Sequence, residues 1–181
     1  MTTLEYAKFY ISHGFSVIPI SPGSKRPAVD WKEYQARQAT EAELNEWFGF
    51  DGAMNIGIVT GRISGLAVVD LDTKDAVNYA KDHGYNKLVP VVKTSKGYHL
   101  YYGYREGAKN FQKRDDMPGI DLRGEGGFVV APPSIHESGF QYSWLEGYKL
   151  DDLPLVTLPD EFLVNSYAEK KPIAALYGEV Q

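Results

Sequence analysis

The stretch Leu66-Ala-Val-Val-Asp70-Leu-Asp72 constrains this chain more than any other. An apolar run of that length reads as a buried strand, and it ends in two carboxylates two residues apart. A strand places residues i and i+2 on one face, so both acids project together from its end. Mg²⁺ and Mn²⁺ favour hard oxygen ligands of this kind, and two-metal phosphoryl transfer uses such a pair, often with a third acid from elsewhere. A plainer reading is open at this point: Asp70 or Asp72 simply caps the helix that follows.

The candidate third acid is Asp121, in Gly119-Ile-Asp121-Leu-Arg123, where Arg123 falls on the same strand face. Asp115 and Asp116 are rivals in a charged segment that reads as exposed. Thr94 to His99 reads as part of a hairpin around Lys96-Gly97, in which a two-residue turn would pair Thr94 with His99. His99 and Tyr101 would then point to one side, and Tyr98, Leu100 and Tyr102 to the other. A strand histidine beside hydroxyl and basic groups suits a triphosphate contact, although a buried structural histidine is the commoner outcome. His13, His83 and His136 read as helix-end or loop residues.

Around these motifs the chain alternates helical and strand patterns. Thr2-x-x-Glu5 and Thr40-x-x-Glu43 are capping boxes, the first opening a helix with Leu4, Ala7 and Ile11 on one face, the second a helix burying Leu44, Trp47 and Phe48. Strands are expected from Phe15 to Ile20, Asn55 to Thr60, Leu66 to Asp72, Val91 to Ser95, Tyr98 to Tyr104, Gly119 to Arg123, Phe128 to Ala131 and Phe140 to Leu145. A helix from Thr73 to about His83 closes at Gly84. This order predicts an α+β (mixed α/β) class. The 181 residues suit one domain, with 1–164 as the folded unit and 165–181 as a tail or linker toward a further domain.

Composition narrows the chemistry. Cysteine is absent, which excludes disulfides, thiolate zinc sites and cysteine nucleophiles. No apolar run approaches the roughly 18 residues of a membrane span, and the first residues carry no secretory pattern, so a cytoplasmic setting is expected. The formal net charge of −5 counts against a nucleic-acid binder, since phosphate contacts need Lys and Arg. Acidic residues gathered at a metal site would weaken that objection. Lys93, Lys96, Arg105, Lys109, Lys113 and Arg114 cluster between the hairpin and Asp121, interleaved with Tyr98, Tyr101, Tyr104 and Phe111 as possible stacking surfaces. Lys25, Arg26 and Lys32 surround an early Gly/Pro loop, and no P-loop motif is present.

Taken in order, these segments resemble the bifunctional DNA primase/polymerase (Prim-Pol) domain of the archaeo-eukaryotic primase superfamily. The resemblance runs from about Tyr6 to Phe162. It rests on Lys25-Arg-Pro27-x-x-x-Trp31, Asn55-Ile-Gly-Ile-Val-Thr-Gly61, Val69-Asp70-Leu-Asp72, Gly97-Tyr-His99, Gly119-Ile-Asp121-Leu-Arg123 and Gly127-Phe-Val-Val-Ala-Pro-Pro-Ser134. It implies an amino-terminal α/β module joined to an RRM-like module, with the active site in the cleft between them. It implies that Asp70, Asp72 and Asp121 hold two divalent cations (Mg²⁺ or Mn²⁺) and that His99 contacts the incoming triphosphate. Arg123, Ser95, Lys96, Thr60, Gly61, Asn55 and Lys25 are further candidates for the nucleotide pocket. The implied activity is template-dependent transfer of nucleotides from dNTPs or NTPs to a 3′-hydroxyl. The implied partners are DNA template and primer and dNTP or NTP substrates, with no membrane. A helicase, a helical primase module or another replication or defence domain is expected, as alternatives, in the parent protein. Two rivals remain: a non-catalytic RRM-like binding module that stacks bases on Tyr98 and Tyr101, and another two-metal phosphotransferase or nuclease.

Overall fold

Both capping boxes form. Thr2 and Glu5 exchange side-chain-to-backbone hydrogen bonds at the start of helix α1 (Thr3–Ser12), and Thr40 and Glu43 do the same at α2 (Glu41–Phe48). Each box satisfies backbone N–H groups that a helix start otherwise leaves bare. The computed structural model describes residues 1–50, 52 and 54–163, so the expected tail at 165–181 lies outside the described residues. The face of α1 that packs inward is centred on Ala7 and Tyr10, with Leu4 and Ile11 at its margins. Tyr10 tolerates full burial because its hydroxyl donates to the Pro132 carbonyl at 2.6 Å and accepts from the Trp144 indole at 3.1 Å.

Two antiparallel sheets make up the rest. The first has β1 (Ser16–Ile20), β2 (Asn55–Val59) and β7 (Phe128–Ala131) in the order β1-β2-β7. The second contains β3 (Leu66–Leu71), β4 (Val91–Lys93), β5 (Tyr98–Gly103), β6 (Ile120–Arg123) and β8 (Ser143–Trp144) in the order β6-β3-β5-β4-β8. Helix α3 (Lys74–Asp82), capped by Thr73, follows β3 directly. Strand, helix, strand, strand and strand, with the first and third strands central, is the RRM-like arrangement. The irregular segment 104–119 stands where a second helix would be. The class is therefore the expected mixed α+β.

Alternation along β3 and β5 assigns two faces. Val68, Val92 and Tyr101 belong to the core shared with the first sheet, α1 and α2. Ala67, Val69, Leu100 and Tyr102 belong to a second core beneath α3 that also takes in Phe111 and Phe162. Tyr101 and His99 do point opposite to Tyr98, Leu100 and Tyr102, as alternation predicts.

Three expectations need correction. The β4–β5 turn has four residues, not two: Val92 pairs with His99 and Lys93 with Tyr98, while Thr94 N–H donates to the Gly97 carbonyl and Gly97 N–H donates to Thr94 Oγ1. Thr94 thus closes the turn and does not face His99. Only Ser143–Trp144 of the expected last strand pairs, with Lys93 and Val92. Tyr101 is fully buried and Phe111 nearly so, stacked near Phe162, so neither can stack on a base.

Candidate active site

The register of the second sheet assembles the site. Asp70 on β3 is the direct partner of Asp121 on β6 and of His99 on β5. Directly opposed residues share a face, so Asp121, Asp70 and His99 form a row across three strands. Asp72, two residues beyond Asp70, joins the same face as β3 ends. Ligand atoms of Asp70, Asp72 and Asp121 all lie within 4.8 Å of one another. The capping alternative fails for both acids, because it is the Thr73 hydroxyl that accepts from Ala76 N–H at the start of α3.

Gly97 shows why the segment before His99 needs a small residue. A Cβ there would overlap the Leu71 carbonyl, so only glycine lets the β4–β5 turn close against the end of β3 beside Asp72. That contact fixes the register that puts His99 opposite Asp70.

Burial and mutual repulsion dominate the electrostatics of the carboxylate cluster, with cationic side chains at its margins. Burial raises the Asp72 carboxyl, and the neighbouring Asp70 charge raises it further. Asp121 is raised by the same two causes, against the pull of Arg123 and Lys113. Burial would also raise Asp70, but His99, a hydrogen bond from Asp72, and Arg123 outweigh it and hold Asp70 low. The pair is thus split, with Asp70 the more readily ionised of the two and Asp72 the less. His99 Nε2 stands 3.5 Å from Asp70 Oδ1, at ion-pair distance without hydrogen-bond geometry. Among the described residues, Asp70 Oδ1 and His99 Nδ1 are buried with no hydrogen-bond partner. Buried polar atoms are nearly always paired. These orphans, in a ring of hard oxygen donors, fit a divalent cation and an anionic ligand.

Asp70 and His99 open into a cleft of about 200 Å³ between the two sheets, while Asp72 and Asp121 flank it outside the lining. Lys25, Asp70, His99 and Arg123 line it, so four candidates from the sequence converge there. Asn55, Thr60, Gly61, Ser95 and Lys96 stand outside the lining. Asn55 exchanges hydrogen bonds with the Ile135 backbone, and the buried Thr60 hydroxyl donates to the Gly124 carbonyl at 2.6 Å. Gly61 packs against Glu125, while Ser95 and Lys96 ride the β4–β5 turn. Asp116 is engaged by Arg114 and stands apart from the carboxylate group.

Sequence reasoning missed Asn110, Gln112 and Tyr142, and gave Trp31 and Phe128 no role at the site. Asn110 accepts from Gly124 N–H at 2.8 Å and reaches the cleft, and a side chain at Gly127 would displace it. Gln112, with its amide oxygen toward Arg123, accepts from Nη2 at 2.7 Å and Nη1 at 3.2 Å, orienting the guanidinium. The Tyr142 hydroxyl is pushed up to about 12 by burial and then by the Asp70 and Asp72 charges, so it enters the cleft as a donor. Asn110 and Gln112 lie in a segment without periodicity, so nothing local in the sequence marks them.

Among the described residues, no helix is long and apolar enough to cross a membrane. A comparison with curated proteins found no match. A family profile described as bifunctional DNA primase/polymerase, N-terminal (Prim-Pol), matches residues 7–161, nearly the whole described chain and every strand that builds the carboxylate row. The chain belongs to the Prim-Pol family of bifunctional DNA primase/polymerase domains.

Proposed function

We propose that this domain is a template-dependent nucleotidyltransferase that extends a DNA primer from dNTPs or NTPs at the Asp121–Asp70–His99 row. The observation that carries the reading is the register: two carboxylates and an imidazole are direct neighbours across three strands, with Asp72 beside them. Asp70, Asp72 and Asp121 would hold two divalent cations, Mg²⁺ or Mn²⁺. When bound, these supply charge neutralisation on the phosphates and acidify the attacking hydroxyl.

The remaining work falls to side chains of this chain. His99, buried and short of a partner, presents its imidazole to the triphosphate. Arg123, oriented by Gln112, and Lys25, from the loop after β1, place positive charge in the same cleft, where developing phosphate charge is stabilised by fixed donors. Tyr142 and Asn110 add neutral donors.

The stacking-sheet alternative loses its support, since Tyr101 lies in the core and Tyr98 on the opposite face. The nuclease alternative is separated by experiment. A labelled primer on single-stranded template, with Mg²⁺ or Mn²⁺, should lengthen only when nucleoside triphosphates are added. Shortening of the primer in their absence would replace this reading with a nuclease.

A further inference from the structure

We propose that Trp31 and Phe128 form the face on which the base of the incoming nucleotide stacks. This rests on the nucleotidyltransferase reading of the cleft and adds to it the half of the nucleotide that the charged residues leave unaddressed.

The cleft is bipolar. One wall, on the second sheet, carries Asp70, His99 and Arg123; the other, contributed by the first sheet and the loop after β1, carries Phe128 and Trp31. Both rings are only partly buried, although they pack against the core. Their centroids are 5.2 Å apart at 72°, an edge-to-face contact that holds each ring by the other. Between the two walls the backbone of Gly126 and Gly127 carries no side chain to fill the space. A nucleoside triphosphate has the matching asymmetry, an anionic end and a planar apolar end. Aromatic surface accepts any base because every base has a π-face, as an enzyme copying an arbitrary template requires. Trp31 also sits six residues after Lys25, which lines the same cleft, so one loop supplies both a cation and a ring.

The test measures binding by calorimetry in Mg²⁺, without DNA, using dATP and inorganic tripolyphosphate as probes. Trp31→Leu keeps apolar volume but loses the planar face, and Trp31→Phe keeps a ring. Trp31→Leu should weaken dATP by about tenfold or more and leave tripolyphosphate within about twofold, with Trp31→Phe close to wild type for both. Equal dATP binding by wild type and Trp31→Leu would overturn the stacking face while leaving the catalytic reading intact. Parallel weakening of both probes would make Trp31 a structural residue and overturn it equally. Failure of the wild type to bind either probe would remove the nucleotide site itself.

Discussion

Asp70 and Asp121 are direct partners across the β3–β6 ladder, so two carboxylates leave the same face of the sheet at the same level. Opposed like charges destabilise an antiparallel pair by a few tenths of a kcal/mol up to about 1 kcal/mol. The fold carries that repulsion where an Asn would remove it. Asp121→Asn should therefore raise the melting temperature of the metal-free protein by about 1–3 °C while eliminating extension. Mg²⁺ should stabilise the wild type more than the variant, because a ligand stabilises only the state that binds it. A variant less stable than wild type without metal would contradict the repulsion.

His99 is buried, and its Nδ1 has no partner among the described residues. A purely structural histidine would lose stability on replacement. His99→Leu removes an unpaired buried nitrogen worth about 1–3 kcal/mol but also the partner of Asp70, so stability should change little, while extension should fall by about 100-fold or more. Urea midpoints and extension rates on the same preparations check both halves. A destabilised variant with near-normal extension would assign His99 to the core.

Tyr101 buries a hydroxyl without a hydrogen bond at the centre of the core, against the Trp144 ring at 4.9 Å. Tyr101→Phe should gain about 1 kcal/mol in denaturant unfolding and leave DNA binding unchanged. Weaker DNA binding would restore the stacking-sheet alternative.

Glu43 closes the α2 capping box and also accepts from Arg37 at 2.8 and 3.0 Å and from the Tyr34 hydroxyl at 2.9 Å. Chiefly the Arg37 hydrogen bonds lower its carboxyl from 4.5 to about 2. A folded-state value below the unfolded one gives stability that is fully present above pH 4.5 and is lost as pH falls toward about 2. Glu43→Gln should flatten the acid limb of the stability–pH curve over that window. An unchanged limb would show that this half-buried pair contributes nothing measurable.

Local signals carried much of this architecture. The capping boxes, the alternation in β3 and β5 and the Asp-x-Asp ending depend on neighbours in sequence, and the structure forms each of them. The β4–β5 turn was misread because Lys96-Gly97 satisfies a two-residue turn equally well; the Leu71 carbonyl against Gly97, a long-range contact, decides otherwise. At the site, Asp70, Asp121 and His99 were visible as candidates, but their in-register row depends on strand order. Gln112 and Asn110 gain their places only through Arg123 and Gly124, far from any motif of their own.

Primer extension by the wild type beside Asp70→Asn tests the central claim most directly. Asn preserves shape and removes one charge from the middle of the row. The account predicts template-dependent extension by the wild type with Mg²⁺ or Mn²⁺, and a loss of about 1,000-fold or more in a variant that folds normally. Extension by folded Asp70→Asn at the wild-type rate would place the chemistry elsewhere and contradict the account.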